Sequence, residues 1–462
     1  MAVREDHLRL LYETPALPTA AGRSERRDAV AGILAAATDE GRTLLTEYES
    51  KKVLAAYGIP ITDTEIAHTP DEAVAAAEAI GYPVVAKLLS RSITHKTDVG
   101  GVVLNLGSAD AVRDAFATIR EAVGRKAGEE HFEGVTIQPM INWTGYELIV
   151  GSSPDPQFGP VLLFGAGGAL VEVVRDRALA LPPLNTTLAR RLIEQTVISR
   201  AFGGVRGRRP IDVDVLAGVL VRFSELVAEQ PRIAEVDINP LLVSPERIIA
   251  LDARVVLHGP DVADADLPRL AIRPYPRQYV REVRVAGEAP LVIRPIRPED
   301  EPGLVAFHNT LSEETVRARY GTDLALAERI AHERLTRICF VDYDREMALV
   351  AEVGRAGSAG EEEAPNPDGA AIAGVARLSP LHGSDRKELT LVVSDAWQRH
   401  GIGRALLAAA VDVAASERVP ELVAELSPDN GPMRALLADA GFSFAERDGL
   451  VMATLAPQVS RA

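Results

Sequence analysis

The chain has little cysteine, little lysine and no long apolar run, and each shortage excludes a class of protein. Cys339 is its single cysteine among 462 residues. This excludes an internal disulfide framework or a zinc ribbon and fits a reducing compartment. No stretch approaches the ~18 uninterrupted apolar residues of a membrane span, and the charged N-terminus does not resemble a secretory signal. We therefore expect a cytoplasmic protein with no membrane partner.

Positive charge is also in short supply, because 50 Lys and Arg oppose 66 Asp and Glu, for a net charge of −16. So acidic a chain repels the phosphate backbone, which argues against nucleic acid as a partner. Only six basic residues are lysines, and the rest are arginines. Coding bias explains such a composition, but a compact ammonium group kept at Lys87 and Lys96 also suggests a use for it.

The length and the order of elements predict several domains of mixed class. At ~150 residues per domain, two or three domains are expected. Helical and strand patterns alternate, which is typical of α/β and α+β folds. The predicted parts are a lead-in over 1–45 with a helix near 26–38, a first domain over 46–260, a proline-rich linker over 261–290 and a second domain over 291–458.

A cationic loop lies between two strand-like segments of the first domain. One strand ends near Lys87, the loop carries His95 and Lys96, and Gly100 and Gly101 precede the next strand. Ammonium groups and flexible glycines are typical of a flap that closes over a polyphosphate. A solvated hairpin with incidental lysines gives the same pattern, and no P-loop sequence is present.

A hairpin near the end of the first domain predicts a metal site. If Val243 pairs with Ile248 across the turn, strand alternation places Asn239 opposite Asp252. These two oxygen donors suit Mg²⁺ held on phosphates. The alternative is a plain hairpin with Asn before Pro as a turn former, and a slip of one residue would separate the pair.

Residues 46–257 resemble the ATP-grasp domain of the ADP-forming acyl-CoA synthetases, relatives of the succinyl-CoA synthetase β-subunit. The resemblance rests on ordered motifs: VVAKLLSRSITHKTDVGGV, GYELIVGSSPDPQFGPVLLFGAGGALVEVVRD, and EVDINPLL followed by ALDAR. It implies ATP or ADP and Mg²⁺ as ligands, with Mg²⁺ on Asn239 and Asp252. It assigns His95 to the phosphoryl group, although that histidine could equally just hydrogen-bond the nucleotide. The implied nucleotide-binding residues are Lys87, Lys96, Gly100, Gly101, Gln138, Met140, Glu147, Gly167 and Gly168.

The resemblance also shows what is missing. In the fused relatives, CoA-binding and phosphohistidine-bearing domains precede the ATP-grasp part, whereas only residues 1–46 precede it here. A separate CoA-binding chain, a truncated gene product and a ligase half that is inactive alone all account for this.

The second domain contains a strand, a glycine-rich turn and a helix over residues 388–417. Successive amides at a helix N-terminus attract an anion, and glycines let a pyrophosphate approach the backbone. A glycine-capped turn is the plain alternative. With the opening LVIRPIRPEDEPGLVAFHNTLSEETVRARYG, the domain resembles the GNAT N-acetyltransferases, and the domain order resembles the C-terminal half of fused protein lysine acetyltransferases. The implied acetyl-CoA residues are Val392, Val393, Gln398, Arg399, His400, Gly401, Ile402, Gly403, Arg404 and Asn430.

Acyl transfer to an amine needs a base, because a lysine amine has a pKa of ~10.4. We expect Glu388 to be that base; a surface role beside Lys387 is the alternative. The amides of Val392 and Val393 would polarise the thioester carbonyl. Asn430 would contact the pantetheine arm or simply cap a helix, and Cys339 is expected in the core.

Three functions fit these observations. The first is a protein lysine acetyltransferase fused to an ATP-grasp domain, with acyl-CoA synthetases among its candidate acceptors. The second is the ATP-grasp subunit of an ADP-forming acyl-CoA ligase that needs a separate CoA-binding chain. The third is a nucleotide sensor that regulates the acetyltransferase. The oligomeric state is open, and a homo-oligomer is compatible with the sequence.

Overall fold

The structure is a computed structural model that describes residues 13–17, 20–93, 96–168, 176–204, 209–284, 291–354, 371–447 and 449–458. The chain divides into two compact units. The first comprises Ala20–Ile272, and the second comprises the described residues of 1–19 together with those of Arg273–Ala462. None of the helices in the described part has both the length and the apolar character needed to cross a membrane.

The first unit contains two antiparallel sheets. Its helices are α1 (Ala20–Asp39), α2 (Glu47–Ala56), α3 (Pro70–Ile80), α4 (Ala109–Lys126), α5 (Thr186–Glu194) and α6 (Val213–Glu229). Its strands are β1 (Glu65–Ala67), β2 (Val84–Leu89), β3 (Val102–Leu106), β4 (Gly134–Pro139), β5 (Tyr146–Asp155), β6 (Gly159–Ala166), β7 (Arg177–Ala180), β8 (Ile233–Val243), β9 (Ile248–Ala250) and β10 (Ala253–Leu257). The small sheet has the order β1-β4-β2-β3, and the large one has the order β10-β8-β5-β6-β7 with β9 paired to β8.

The predicted hairpin register is confirmed. Val243 pairs with Ile248 and Leu241 with Ala250, while Ile238 pairs with Ala253 farther along. Both sets of pairs follow one continuous register, which places Asn239 opposite Asp252. The alternation of the strands therefore brings both side chains to the same side of the hairpin.

Helix α1 is longer than predicted and is not a lead-in. Its residues Val30, Leu34 and Ala37 are buried in the same core as Val53 and Leu54 of α2. The alanine-rich sequence hid this role, because small side chains give a weak amphipathic pattern. The ATP-grasp prediction over 46–260 thus left out a helix that packs into that unit.

The second unit is built on one mixed sheet of eight strands, in the order β11-β12-β13-β14-β15-β16-β18-β17. The strands are β11 (Arg281–Val283), β12 (Leu291–Pro295), β13 (Met347–Val353), β14 (Ala371–Pro380), β15 (Lys387–Val393), β16 (Leu422–Leu426), β17 (Ser443–Arg447) and β18 (Leu450–Leu455). The helices are α7 (Glu301–Asn309), α8 (Glu313–Tyr320), α9 (Leu326–Arg329), α10 (His332–Cys339), α11 (Ile402–Ser416) and α12 (Gly431–Asp439).

Two apolar clusters cover the two faces of this sheet. Leu406 and Ala410 of α11 pack on one face with Leu389. On the other, Phe307 of α7 and Cys339 of α10 pack with Val392. Cys339 is therefore a core residue, as predicted, and burial raises the pKa of its thiol to about 12.

The predicted linker over 261–290 is only partly a linker. Tyr275 is 3% exposed in the core of the second unit, and β11 adds an edge strand beside β12. The proline-rich sequence showed no helical period, but its aromatic residues still bury apolar surface.

Candidate functional sites

A buried carboxylate surrounded by three lysines forms the centre of the site in the first unit. The oxygen Oε1 of Glu47 lies 2.7 Å from Lys87 Nζ and 3.0 Å from Lys51 Nζ, and Oε2 lies 3.1 Å from Lys96 Nζ. Gln138 donates to Oε1 of Glu47 at 2.8 Å and accepts from Lys51 at 2.9 Å. Two lysines predicted to bind phosphate thus meet at one point, together with Gln138.

The local sequence explains why charged side chains point inward here. Thr46 and Glu49 form a capping box at the start of α2, which fixes the helix orientation. Glu47 and Lys51 are four residues apart, so they share one helix face, and that face is buried. The sequence analysis missed Glu47, although this spacing and the scarcity of lysine were available signals.

The charges of this cluster shift one another's ionisation. Burial opposes the ionisation of Glu47, but the three ammonium groups hold its pKa well below the usual range. Burial lowers the pKa of Lys51 to about 8. Burial also opposes charge on Lys96, yet Glu47 and Asp252 raise its pKa. Burial and the neighbouring charges therefore act in opposite directions on Lys51 and Lys96, and Lys51 is the ammonium group whose pKa is brought closest to neutral pH.

A second group of predicted residues lies around Asn239. Gly167 donates its amide to the carbonyl of Glu147 at 2.7 Å, and Gly168 donates to Oδ1 of Asn239 at 3.4 Å. Gly168 has φ +76°, and a Cβ there would collide with the Glu147 carboxylate. The positive φ favours glycine at this position, and any side chain there would also displace the Glu147 carboxylate.

Asp252 connects the two groups. It lies opposite Asn239 in the hairpin register, and the charges of Glu47 and all three lysines act on it. Burial and the charge of Glu47 raise the pKa of Asp252, so this carboxylate lacks full compensation. A half-buried carboxylate opposite an amide oxygen in the hairpin register is a donor set that fits Mg²⁺, whose remaining ligands are phosphates and water.

The other predicted nucleotide residues have definite places. Gly101 donates to the carbonyl of Lys96 at 2.7 Å, and a Cβ there would lie 2.8 Å from Leu88 Cβ. Gly100 has φ +76°. Met140 follows β4 and donates its amide to Pro83 at 2.9 Å. The side chain of Gln138 joins the lysine cluster, so it is engaged there rather than free to contact an adenine base. His95 lies outside the described residues.

The site of the second unit is a wedge between two parallel strands. β15 pairs with β14 from Lys387 to Val393, but with β16 only at Lys387 and Glu388. Within the described part of the chain, the β16-facing edge of β15 is therefore unpaired beyond Glu388, along Val392 and Val393. An unpaired strand edge offers amides and carbonyls to an extended ligand. Glu388 lies half-buried where the wedge begins.

The start of helix α11 follows this wedge. Gly401 precedes the helix with φ +88°, and no side chain in the described part caps it. Arg399 also has a positive φ, 65°. The first amides of α11, at Ile402 and Gly403, therefore have the orientation and the dipole that bind an anion.

The remaining predicted coenzyme residues border the same turn. Gln398 donates its side-chain Nε2 to the Val393 carbonyl at 3.2 Å, and His400 Nδ1 lies 2.8 Å from the Gln398 carbonyl. Arg404 pairs with exposed Asp439 at 2.7 Å. Asn430 caps α12 by accepting from Met433 at 3.1 Å, which confirms its plain interpretation.

Comparison with known proteins matches both units. Residues 36–257 match the ATP-grasp domain family, and residues 290–443 match the acetyltransferase (GNAT) domain family. The chain is 38% identical over 225 residues to the β-subunit of ADP-forming acetate–CoA ligase I from Pyrococcus furiosus, covering 49% of this chain and 96% of that subunit.

Two further relatives match the same half. ADP-forming acetate–CoA ligase I from Archaeoglobus fulgidus is 41% identical over 209 residues, which cover 45% of this chain and 30% of that protein. A solved acetyl-coenzyme A synthetase 1 from Ca. Korarchaeum cryptofilum, in complex with coenzyme A and Ca-AMPCP, is 38% identical. It covers 49% of this chain and 99% of the solved chain, with a TM-score of 0.48.

Proposed function

Because the chain belongs to the family of ADP-forming acetate–CoA ligase β-subunits through its ATP-grasp domain and carries a GNAT domain after it, we propose that it is an acetyl-CoA-dependent protein lysine acetyltransferase. The ATP-grasp domain is proposed to bind ATP with Mg²⁺. The wedge between β15 and β16, with Glu388 where it begins, is the observation that carries this proposal.

The wedge suits acyl transfer in each step. The diphosphate of acetyl-CoA would bind the first amides of α11, and its pantetheine arm would follow the unpaired edge of β15. Glu388 would take a proton from the acceptor ammonium, and the amine nitrogen would then attack the thioester carbonyl. The amide of Val393, which faces the wedge, would stabilise the developing oxyanion, whereas the amide of Val392 faces β14. As the C–S bond breaks, the nitrogen would lose a second proton on becoming an amide, and the thiolate would gain one, so that coenzyme A leaves as the thiol.

The full chain, incubated with acetyl-CoA and a lysine peptide, tests this function. We expect acetyl-lysine, detected by mass spectrometry, to accumulate in step with free coenzyme A thiol. Acetylation no faster than in a mixture without the protein would contradict the proposal.

A second candidate is the ATP-grasp subunit of an ADP-forming acyl-CoA ligase. The specific support is the Pyrococcus relative, which is itself a separate β-subunit of which this chain covers 96%. Lys87, Lys96, Asn239 and Asp252 would hold ATP with Mg²⁺. Formation of acyl-CoA and ATP breakdown to ADP only after a CoA-binding chain is added would support this function.

Lys87→Ala tests the nucleotide role shared by both candidates. Removing an ammonium group that lies 2.7 Å from Glu47 takes away one phosphate contact, and we expect ATP affinity to fall by at least tenfold. Acetyl-CoA affinity should not change. Calorimetric titration measures both affinities, and the exposed Lys126→Ala is the matched control. Unchanged ATP affinity in Lys87→Ala would remove Lys87 from the site.

A further inference from the structure

Glu388 shares its sheet face with an arginine. Ser379 pairs with Glu388 and Arg377 pairs with Thr390, so strand alternation places Glu388 and Arg377 on the same face, one diagonal step apart. Val392 lies on this face too and packs among the residues of α7 and α10. Side chains from these helices therefore extend toward the surroundings of Glu388.

Helix α8 lines the wedge from its open end inward. Ser312 and Thr315 donate to Asp395, which precedes the glycine-rich turn, and Gln398 donates to Thr315 at 3.1 Å. At the next turn of α8, the carbonyl of Ala318 accepts from Asn430 at 3.5 Å. The following residue of α8 is therefore close to the acyl-transfer site.

Two guanidinium groups lie against the same tyrosine ring at the end of this helix. Arg319 lies 4.9 Å from the centre of the Tyr320 ring, and Arg334 of α10 lies 5.2 Å from the same ring. Neither guanidinium has an ion pair or a hydrogen bond with any described residue, and Nε of Arg334 is buried without a partner. Nε of Arg377 is likewise buried and unpartnered, although its Nη2 pairs with Glu346 at 2.6 Å.

Placing these arginines together without anionic partners costs free energy of folding. Burial lowers the pKa of Arg319, and the positive charges of Arg377 and Arg334 lower it further. Tyr320 and Glu388 raise it, but they do not offset the lowering. Burial and the neighbouring arginines also lower the pKa of His308 to about 4, so this histidine is neutral at pH 7. Stacking on one tyrosine offsets only part of the repulsion between two desolvated cations. An anion within reach of both guanidinium groups would offset this cost.

We propose that Arg319 and Arg334, with Arg377 beside them, form an anion pocket that selects acceptors whose lysine is followed or preceded by an acidic side chain. The inference rests on the proposed acetyltransferase function, because it places the acceptor amine at Glu388. The pocket then lies within reach of a carboxylate on a neighbouring residue of the acceptor. Guanidinium groups recognise carboxylates through paired, charge-assisted hydrogen bonds.

Three peptides test the pocket. Each has one central lysine, which is flanked by aspartate in the first, by asparagine in the second and by arginine in the third. With the full chain, we expect kcat/KM to be about tenfold higher for the aspartate peptide than for the asparagine peptide, and lowest for the arginine peptide. Arg319→Gln and Arg334→Gln should each reduce the preference for aspartate severalfold, through KM more than kcat. The KM for acetyl-CoA should stay unchanged, which shows that the variants fold.

Arg337→Gln is the matched control, since Arg337 is an exposed arginine of the same helix α10; it should keep the full preference. Equal kcat/KM for all three peptides would overturn the pocket while leaving the acetyltransferase function intact. A preference that survives in Arg319→Gln and Arg334→Gln would overturn it as well. Failure to acetylate any peptide would instead overturn the proposed function, and the pocket with it.

Discussion

Glu47 is the residue on which the proposed nucleotide site depends. Its buried carboxylate lies within 3.1 Å of three ammonium groups, those of Lys51, Lys87 and Lys96. Desolvating so many charges costs free energy that their mutual attraction only partly returns. Glu47 and Asp252 together balance two of the three positive charges, so the site retains an excess of positive charge. The excess positive charge would attract a polyphosphate, but it does not stabilise the fold.

Lys51 makes nucleotide binding depend on pH. Burial lowers its pKa to about 8, so it is an ammonium at pH 7 and mostly an amine at pH 9. A bound polyphosphate favours the charged form, and affinity must therefore fall as pH rises through the free-state pKa. We expect the affinity for a non-hydrolysable ATP analogue to decrease about tenfold from pH 7 to pH 9, measured by calorimetry.

Lys51→Met and Lys52→Met are a matched pair for this prediction, because Lys51 is 1% exposed while its neighbour is exposed. Lys51→Met should bind weakly at pH 7 and lose the decrease, whereas Lys52→Met should retain it. If the affinity of Lys51→Met for the ATP analogue fell by the same factor from pH 7 to pH 9, a group other than Lys51 would cause the pH dependence.

At the scale of single residues, the sequence predicted which residues belong to the site better than it predicted the contacts between them. Lys87 and Lys96 were predicted from their loop, and the structure brings both to one site. Glu47 and the side chain of Gln138 were not predicted to join them. Gln138 and Glu47 are 91 positions apart, and their hydrogen bond depends on how α2 packs against β4. No local sequence pattern predicts how two such distant elements pack.

At the scale of elements, the hairpin of β8, β9 and β10 was predictable because its register is set locally. The short turn between Val243 and Ile248 fixes the pairing, and alternation carries it to Asn239 and Asp252. The wedge beyond Glu388 was not predictable, since separation of β15 from β16 is a property of the whole sheet.

The start of α11 gives a stability prediction with a built-in control. Gly401 has φ +88°, so Gly401→Ala forces a strained left-handed residue and should cost about 1 kcal/mol. A Cβ on Gly403 would make ordinary contacts, 3.5 Å from Leu436 at the nearest, and alanine favours helix by up to ~1 kcal/mol.

Scanning calorimetry of the full chain separates the two variants. We expect the transition of the second unit to shift down by roughly 3 °C for Gly401→Ala and not to shift down for Gly403→Ala. Equal losses would mean that both glycines serve packing rather than the conformation of the turn.

At the scale of the whole molecule, the boundaries were the least predictable feature. Composition placed a linker over 261–290, yet Tyr275 lies in a core and donates its hydroxyl to the Pro295 carbonyl at 2.8 Å. Arg297 also stacks 4.4 Å from its ring. Proline-rich sequence excludes regular helices but does not prevent a segment from packing, so composition alone cannot end a domain.

Two fragments test this boundary, one beginning at Arg273 and one at Leu291. Losing the buried Tyr275 removes about 3–5 kcal/mol of packing, so the shorter fragment should unfold roughly 10 °C lower. Tyr275→Ala in the full chain should reproduce much of that loss in the transition of the second unit. If both fragments melted at the same temperature, residues 273–290 would be a linker and not part of the folded domain.

The central claim is that the GNAT domain acetylates amines with Glu388 as the base, and single-turnover transfer in Glu388→Gln tests it most directly. With the protein in excess over acetyl-CoA at pH 7, we expect the rate of acetyl-lysine formation to fall about 10²- to 10³-fold. Acetyl-CoA affinity should stay unchanged. Glu446→Gln, an exposed carboxylate on the edge strand β17, should react at the normal rate. Transfer by Glu388→Gln at the rate of the unmodified chain would contradict the account.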